Sequence, residues 1–213
     1  LIVGAGIATD SPAVRAEFTA AGTPFEGRVG RYMEGIRLCR ALWSGQPVDW
    51  EGRWSVKAGV LAPVPYRDGG PLIWSAASVP QGIERAARHH DGWFPIGPDP
   101  ATFAQRNEVF QNAATLAGRK LEDLTTAIYL TVSVMDDTEK AEAAIDTYLE
   151  GYYQAPASAL RSYQACKGGD GDQVIEFIRS FVEGGAQHVI IRCVGDHDAV
   201  QKLLCERRDE LMS

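Results

Sequence analysis

Cysteine is scarce: Cys39, Cys166, Cys193 and Cys205 are the only four in 213 residues, far apart and without a C-x-x-C pair. So few in a chain this long exclude a disulfide framework and point to a reducing, cytoplasmic setting. Cys39 and Cys193 fall inside apolar periodic segments, where a reduced cysteine behaves as a small hydrophobe. Long apolar runs are missing too. None approaches the ~20 residues that a membrane-spanning helix needs, and no signal peptide is visible. Nor is there a basic stripe: Lys and Arg are scattered and the formal net charge is -7, which disfavours nucleic acid as a partner. The chain has no Walker loop, no G-x-S-x-G, no catalytic-cysteine signature, no low-complexity tract and no internal repeat.

What remains is the composition of a soluble globular protein, 45% hydrophobic and 23% charged, long enough for one domain over residues 1–213. The opening LIVGAGIA reads as the interior of a buried strand, with neither an initiator Met nor a polar lead-in. The chain is therefore expected to be the later part of a longer protein.

Strand-like and helix-like segments alternate from about Gly70 onward. PLIWSA is a short apolar run, followed by a helix from about Val79 to His89, and DGWFPIG is a second short strand. The next helix runs from about Ala101 to Ala117, with Phe103, Val109, Phe110, Ala113 and Ala114 on one face and Gly118 as its stop. TAIYLTVSVM is rich in β-branched residues and reads as a strand. Asp136 and Asp137 then open a helix, with Glu139 spaced for a capping box. CKGGDGD reads as a polar connector, and the helix after it carries Val174, Ile175, Ile178, Phe181 and Val182 and stops at Gly184-Gly185. HVIIRCV is the last strand, closed by a helix with Val200, Leu203, Leu204 and Leu211.

The first third is less regular. A helix from about Gly30 to Ser44 is expected to bury Tyr32, Met33, Ile36, Cys39, Leu42 and Trp43, and a small hairpin near residues 47–57 turns at Glu51-Gly52. Strands around residues 1–7, 72–76, 92–96, 127–135 and 188–194, separated by helices, indicate a parallel sheet. They fit an open doubly wound sheet or the later strands of a β/α barrel, and periodicity does not choose between them.

Gly4-Ala5-Gly6 after a strand invites a dinucleotide reading, but the position of the third small residue holds Thr9, and Pro12 soon follows. Two glycines at a tight strand exit account for the pattern. His89-His90 point ~100° apart on a helix, so they do not share one metal ion, and His188 and His197 lack partners at ligand spacing; no metal site is expected. Trp74, Trp93 and Phe94 lie at strand positions and read as packing residues, one of which could border a planar ligand.

The turn Ser75-Ala76-Ala77-Ser78 carries more. Ser78 to Gln81 has the spacing of a capping box and Pro80 suits a first helical turn, which alone accounts for Ser78. Yet the residues before it are all small, leaving backbone amides open at the C-terminal end of a strand, where parallel α/β folds bind ligands. A phosphate held by those amides and the Ser78 hydroxyl is the sharper reading.

In order along the chain, several segments resemble the luciferase-like monooxygenases, a superfamily of flavin- and F420-dependent oxidoreductases. They are LIVGAGI; EFTAAGTPFEGR, with the helix ending in LW and the hairpin PVDWEGRW; APVPYRDGGPLIWSAAS; ERAARHHDGWFP; and GGAQHVIIRCVG. The resemblance implies a (β/α)8 TIM-barrel-type fold holding only its fourth to eighth strands. It also implies a cofactor phosphate at Ser75, Ala76, Ala77 and Ser78, with Gly82 and the strand-end glycines Gly4 and Gly6 in the same cofactor site. Many members have Gly-Gly where this chain has Ala76-Ala77, and two methyl groups crowd an approaching phosphate. The implied activity is oxidation of a small organic substrate with reduced FMN and O2. The alternatives are F420-dependent hydride transfer and a non-catalytic, flavin-binding or structural remnant. Catalytic residues are expected in the missing strands, and an open sheet edge is expected to pair the chain as a homodimer.

Overall fold

The computed structural model describes residues 1–6 and 10–212. Ile7, the end of the expected first strand, and Thr9, weighed against a dinucleotide fingerprint, lie outside them. The chain forms two compact units, one of Leu1 and Val3–Ile73, the other of Ile2 and the chain from Trp74 onward.

A short strand β1 (Ile2–Val3) precedes helix α1 (Pro12–Ala20) of the first unit, which Ser11 caps by accepting from the Val14 amide at 3.3 Å. Helix α2 (Arg28–Leu42) starts after Gly27, whose φ of 66° is the left-handed conformation that glycine adopts freely. The expected hairpin is present as antiparallel strands β2 (Val48–Glu51) and β3 (Ser55–Gly59).

The face of α2 differs from the apolar one expected. Its buried residues are Glu34 and Leu38, while Cys39 is exposed and Tyr32, Met33, Ile36, Leu42 and Trp43 are half-buried. The cause is an ion pair. The Glu34 carboxylate accepts from the Arg53 amide at 2.6 Å and from the Arg53 guanidinium at 2.5 Å, and the Trp50 indole lies at 3.5 Å. A Cβ on Gly52 would lie 2.2 Å from Glu34 Oε1, so a side chain there would have to shift this carboxylate. A charged side chain thus docks the hairpin where hydrophobic periodicity predicts apolar ones.

The Arg53 guanidinium and amide hold the Glu34 carboxyl below the usual carboxylate range. A lowered folded-state value stabilises the hairpin above the unfolded value of about 4.3, and that contribution is lost as pH falls through the folded value. Acid titration below pH ~4.3 should therefore shift the tryptophan emission of the wild-type chain through the Trp50 contact. Glu34→Gln, already without the ion pair, should not show this step.

The second unit alternates strands and helices: β4 (Trp74–Ser75), α3 (Pro80–His89), β5 (Gly92–Trp93), α4 (Pro100–Leu116), β6 (Thr125–Val134) and α5 (Thr138–Tyr153). It continues through α6 (Ala157–Arg161), β7 (Ala165–Gly169), α7 (Gly171–Glu183), β8 (His188–Cys193), α8 (His197–Glu206) and α9 (Arg208–Met212). The pairings among β4–β8 are all parallel. On one edge of β6, Thr125 donates to Asp91 O and Met135 to Gly169 O; on the other, Thr126 O and Val132 O accept from Gln187 and Val194. Since alternate residues of a strand hydrogen-bond to opposite sides, β5 and β7 share one edge of β6 and β8 takes the other.

Side chains alternate accordingly. Ile128, Leu130 and Val132 join the main core with Ile83 of α3, Phe103 and Phe110 of α4, and Phe181 of α7. Tyr129, Thr131 and Ser133 point to the opposite face. There the Trp74 ring reaches His188 at 5.1 Å between centroids, although β4 and β8 lie three strand spacings apart through β5 and β6. The sheet therefore curls toward that face, which is concave.

Several expected details are corrected. CKGGDGD is not a connector: Ala165–Gly169 forms β7, and Asp170 starts α7 in a reciprocal capping box with Gln173. Glu139 takes no part in a box, because Asp137 is the N-cap of α5 and accepts from Lys140 at 3.1 Å. On α4 Val109 is exposed, and Asn107 takes the inward position, donating to Gly184 O at 3.2 Å and accepting from Thr126 Oγ1 at 3.3 Å. Among the described residues no helix is long and apolar enough to cross a membrane.

Candidate functional site

The small-residue turn lies where the sequence places it, between Ser75 at the end of β4 and Pro80 at the start of α3. Its geometry has three parts.

First, the turn is clamped from below. Trp93 is fully buried, its ring stacks on Phe103 and Phe110 at 5.6 and 5.8 Å, and its indole N–H donates to Ala77 O at 2.8 Å. The Phe94 amide donates to Ser75 O at 3.1 Å.

Second, Gly82 lets α3 sit close against the turn, for a Cβ on it would meet Ala77 Cβ at 3.0 Å.

Third, the amide side is open. Ser78 does not cap the helix; Val79 is the N-cap, in extended conformation, with no side-chain cap bond. The expected capping box is therefore absent, because Ser78 stands one residue too early to reach the first-turn amides. Ala76 and Ser78 are exposed, and the amides of Ala76, Ala77 and Ser78 engage no acceptor among the described residues. The first turn of α3 holds no acidic residue, while Arg88 and His89 occupy the last. Uncapped donors at a helix start, with the positive end of the dipole behind them, suit an anion.

The structure thus brings Ser75, Ala76, Ala77, Ser78 and Gly82 together. Gly4 and Gly6 belong to the first unit, where they line an open cavity of about 340 Å3 with Phe18, Arg28, Arg31 and Tyr32. Gly6 there has φ of 82°, and a Cβ would stand 3.1 Å from the Phe18 ring.

Sequence reasoning singled out Trp74 and Phe94 but missed Tyr129 and Arg192, which complete a row with them along the concave face. Trp74 meets Phe94 at 6.5 Å between ring centroids, Phe94 meets Tyr129 at 6.2 Å, and the Arg192 guanidinium lies 4.8 Å from the Tyr129 ring. Period-2 alternation in TAIYLTVSV and HVIIRCV is the signal that could have found Tyr129 and Arg192, opposite Ile128 and Leu130. Burial pushes the Tyr129 hydroxyl above its ordinary value, opposed by the Arg192 charge. Burial likewise raises the Cys166 thiol, which leaves it protonated and unreactive. Among the described residues no three His, Cys, Asp or Glu side chains are grouped to hold a metal ion.

Comparison with known proteins agrees with this picture. Residues 3–212 match the sequence profile of a family described as luciferase-like monooxygenase. An F420-dependent glucose-6-phosphate dehydrogenase of Nocardia farcinica (strain IFM 10152) is 29% identical over 207 residues, covering 87% of this chain and 60% of that protein. The enzyme of the same name from Rhodococcus hoagii (strain 103S) is 26% identical over 208 residues, again 87% and 60%. Among solved structures, an F420-dependent secondary alcohol dehydrogenase in complex with an F420-acetone adduct superposes with TM-score 0.77 at 20% identity, over 97% of this chain and 67% of that one. A monooxygenase from Streptomyces bottropensis gives TM-score 0.78 at 20% identity, over 100% and 68%. The chain spans about 60% of the length of the curated relatives it matches. These likenesses show the fold: the curled parallel sheet is of the α/β-barrel type, and the flat doubly wound alternative falls away.

Proposed function

Because this chain belongs to the luciferase-like monooxygenase family, we propose that it serves an oxidoreductase whose cofactor phosphate rests on the Ala76–Ser78 amides. One observation carries the reading: three amides at the end of a parallel strand engage no acceptor among the described residues, beside a helix start with no side-chain cap and no acid in its first turn. The residues fit such a group. Trp93 and Phe94 hold the carbonyls of Ala77 and Ser75, which turns the next amides, those of Ser78 and Ala76, the other way, and bare Gly82 keeps α3 against the turn. The Ala76 and Ala77 methyl groups narrow the approach, so the phosphate is held from the amide side and by the Ser78 hydroxyl.

The proposed cofactor is the deazaflavin F420, after the names of the relatives above. When bound, it supplies hydride transfer to or from a small organic substrate. The chain's own part is to anchor the phosphate and to line the concave face with Trp74, Phe94 and Tyr129 beside the reacting groups. The second reading is reduced FMN with O2, favoured by the likeness to a monooxygenase. FMN also carries a phosphate on its ribityl chain, so the same turn serves either.

Titration of the chain with F420 and with FMN, followed by cofactor fluorescence, tests this. One of the two should bind saturably, and Ser78→Asp should weaken it at least tenfold, since a carboxylate would face the phosphate. Ser78 is exposed and caps nothing, so the melting temperature should not fall. Failure of both cofactors to bind, or equal binding by Ser78→Asp, would remove the assignment. Binding without turnover would favour a flavin-binding remnant.

A further inference from the structure

We infer that Arg192, positioned by Tyr129, is the docking point for a substrate carboxylate on the concave face of the sheet. The inference rests on the oxidoreductase reading only for the word substrate; affinity for a carboxylate stands on the geometry below.

Arg192 is half-buried near the C-terminal end of β8, in register with Thr131 of β6. Its Nε donates to the Tyr129 hydroxyl at 2.5 Å, and Nη1 and Nη2 both reach the Tyr153 hydroxyl, each at 3.2 Å. The guanidinium also lies 4.8 to 5.6 Å from the ring centroids of Tyr129, Tyr148, Tyr152 and Tyr153. Its partners are thus hydroxyls and aromatic faces; among the described residues no carboxylate pairs with it. The contrast with other arginines is sharp. Arg161, also half-buried, holds Asp146 at 2.5 Å and Glu142 at 2.7 Å, and Arg207 holds Asp172 at 2.8 Å.

A half-buried guanidinium without a counter-ion is uncommon, because arginine leaves water at little cost only when paired. Here the aromatic faces offset part of that cost, but the fork between Nη1 and Nη2 is underused. Two parallel N–H groups are shaped for two oxygens, and a single hydroxyl shared at 3.2 Å is a weak stand-in. A carboxylate would displace the Tyr153 hydroxyl from the fork and gain two charge-assisted bonds. Tyr152 is 63% exposed and Tyr153 37% exposed, so the approach is open.

The position suits a substrate group. The sheet order β4–β5–β6–β8 puts Arg192 three strand spacings, about 14 Å along the sheet, from the strand that ends at the phosphate turn. Both stand at C-terminal strand ends, the end that barrel folds use for ligands. Trp74, Phe94 and Tyr129 bridge the interval with aromatic surface, so a flat organic acid would be held at its acid end by Arg192.

The test is calorimetric titration of the cofactor-free chain with sodium benzoate and, separately, inorganic phosphate at matched ionic strength. The Arg192 Nε–H resonance serves as a local reporter. Benzoate should bind saturably and shift that resonance. Arg192→Gln should lose at least tenfold in affinity, and so should Arg192→Lys, which keeps the charge but not the fork. Arg192→Lys also serves if Arg192→Gln does not fold. Tyr153→Phe, which vacates the fork, should bind benzoate as well or better. No saturable benzoate binding, benzoate affinity unchanged by the Arg192 substitutions, or a resonance moved by phosphate alone would each overturn the inference. F420 and FMN titrations of the same variants separate the two readings: a cofactor that never binds sinks the oxidoreductase proposal and leaves the benzoate result untouched.

Discussion

Trp93→Ala is expected to lower the unfolding free energy by about 3–5 kcal/mol, the range for emptying a large aromatic site in a packed core. Trp93 is fully buried and stacks on Phe103 and Phe110, and Phe103 in turn meets Phe181 edge-on at 5.7 Å. Removing the indole opens a void that joins β5, α4 and α7, three elements with little freedom to collapse into it. For a domain whose whole stability is of order 5–15 kcal/mol, that loss is a large share. Trp93→Phe is the milder change. It keeps a ring on the Phe103 stack but removes the donor to Ala77 O, at about 1 kcal/mol, together with part of the indole's volume. If the indole sets the phosphate turn, Trp93→Phe should lose more in cofactor affinity than this small stability change suggests. Urea unfolding of both variants measures the first claim, and a loss below about 1 kcal/mol for Trp93→Ala would contradict it.

The second large effect is expected at Gly168, in the strand that reads from sequence as a connector. A Cβ there would stand 2.5 Å from Glu142 N and 2.6 Å from the Ala141 carbonyl carbon, both main-chain atoms of α5. Main chain does not yield as a side-chain tip does. Gly168→Ala must push α5 off β7 or break the bond from Gly168 N to Glu142 Oε1, now 2.9 Å. Overpacking of this kind costs about 1–3 kcal/mol and occasionally more. The displaced helix carries Tyr148, Tyr152 and Tyr153, so the variant should also lose the aromatic surround of Arg192. Thermal unfolding and the Arg192 Nε–H resonance report the two effects separately. A Gly168→Ala chain with unchanged melting temperature and unchanged resonance would show that α5 does not rest on β7 as described.

These sites show which signals the sequence carries. Strands β6 and β8 are legible because β-branched and aliphatic residues fill them. The Ser75–Ser78 turn is legible because four small residues between an apolar run and a helix are easily recognised. Strand β7 is hidden: its Lys167, Gly168 and Gly169 look like a loop, and the bareness that suggests a loop is what lets α5 approach. Helix α2 misleads for a different reason. Periodicity assumes that apolar residues choose the buried face, whereas Glu34 and Arg53, 19 residues apart, choose it by charge. For Arg192 alternation gives the face but not the surroundings: its partners Tyr129 and Tyr153 lie 63 and 39 residues away, and only the fold convenes them. Local chemistry can be read from a chain, but chemistry assembled from distant segments waits for the tertiary structure.

Strand β6 has ten residues, and Leu130, Thr131 and Val132 pair on both of its edges. Strand β4 has two, joined to β5 through Trp74 and Ser75 alone. Amide protons in the first are shut away until the whole unit unravels, while those around the second trade with solvent through small, frequent openings. The small-residue turn therefore hangs from a short rung of a ladder whose middle is long, and a guest that gripped it would damp that breathing on arrival.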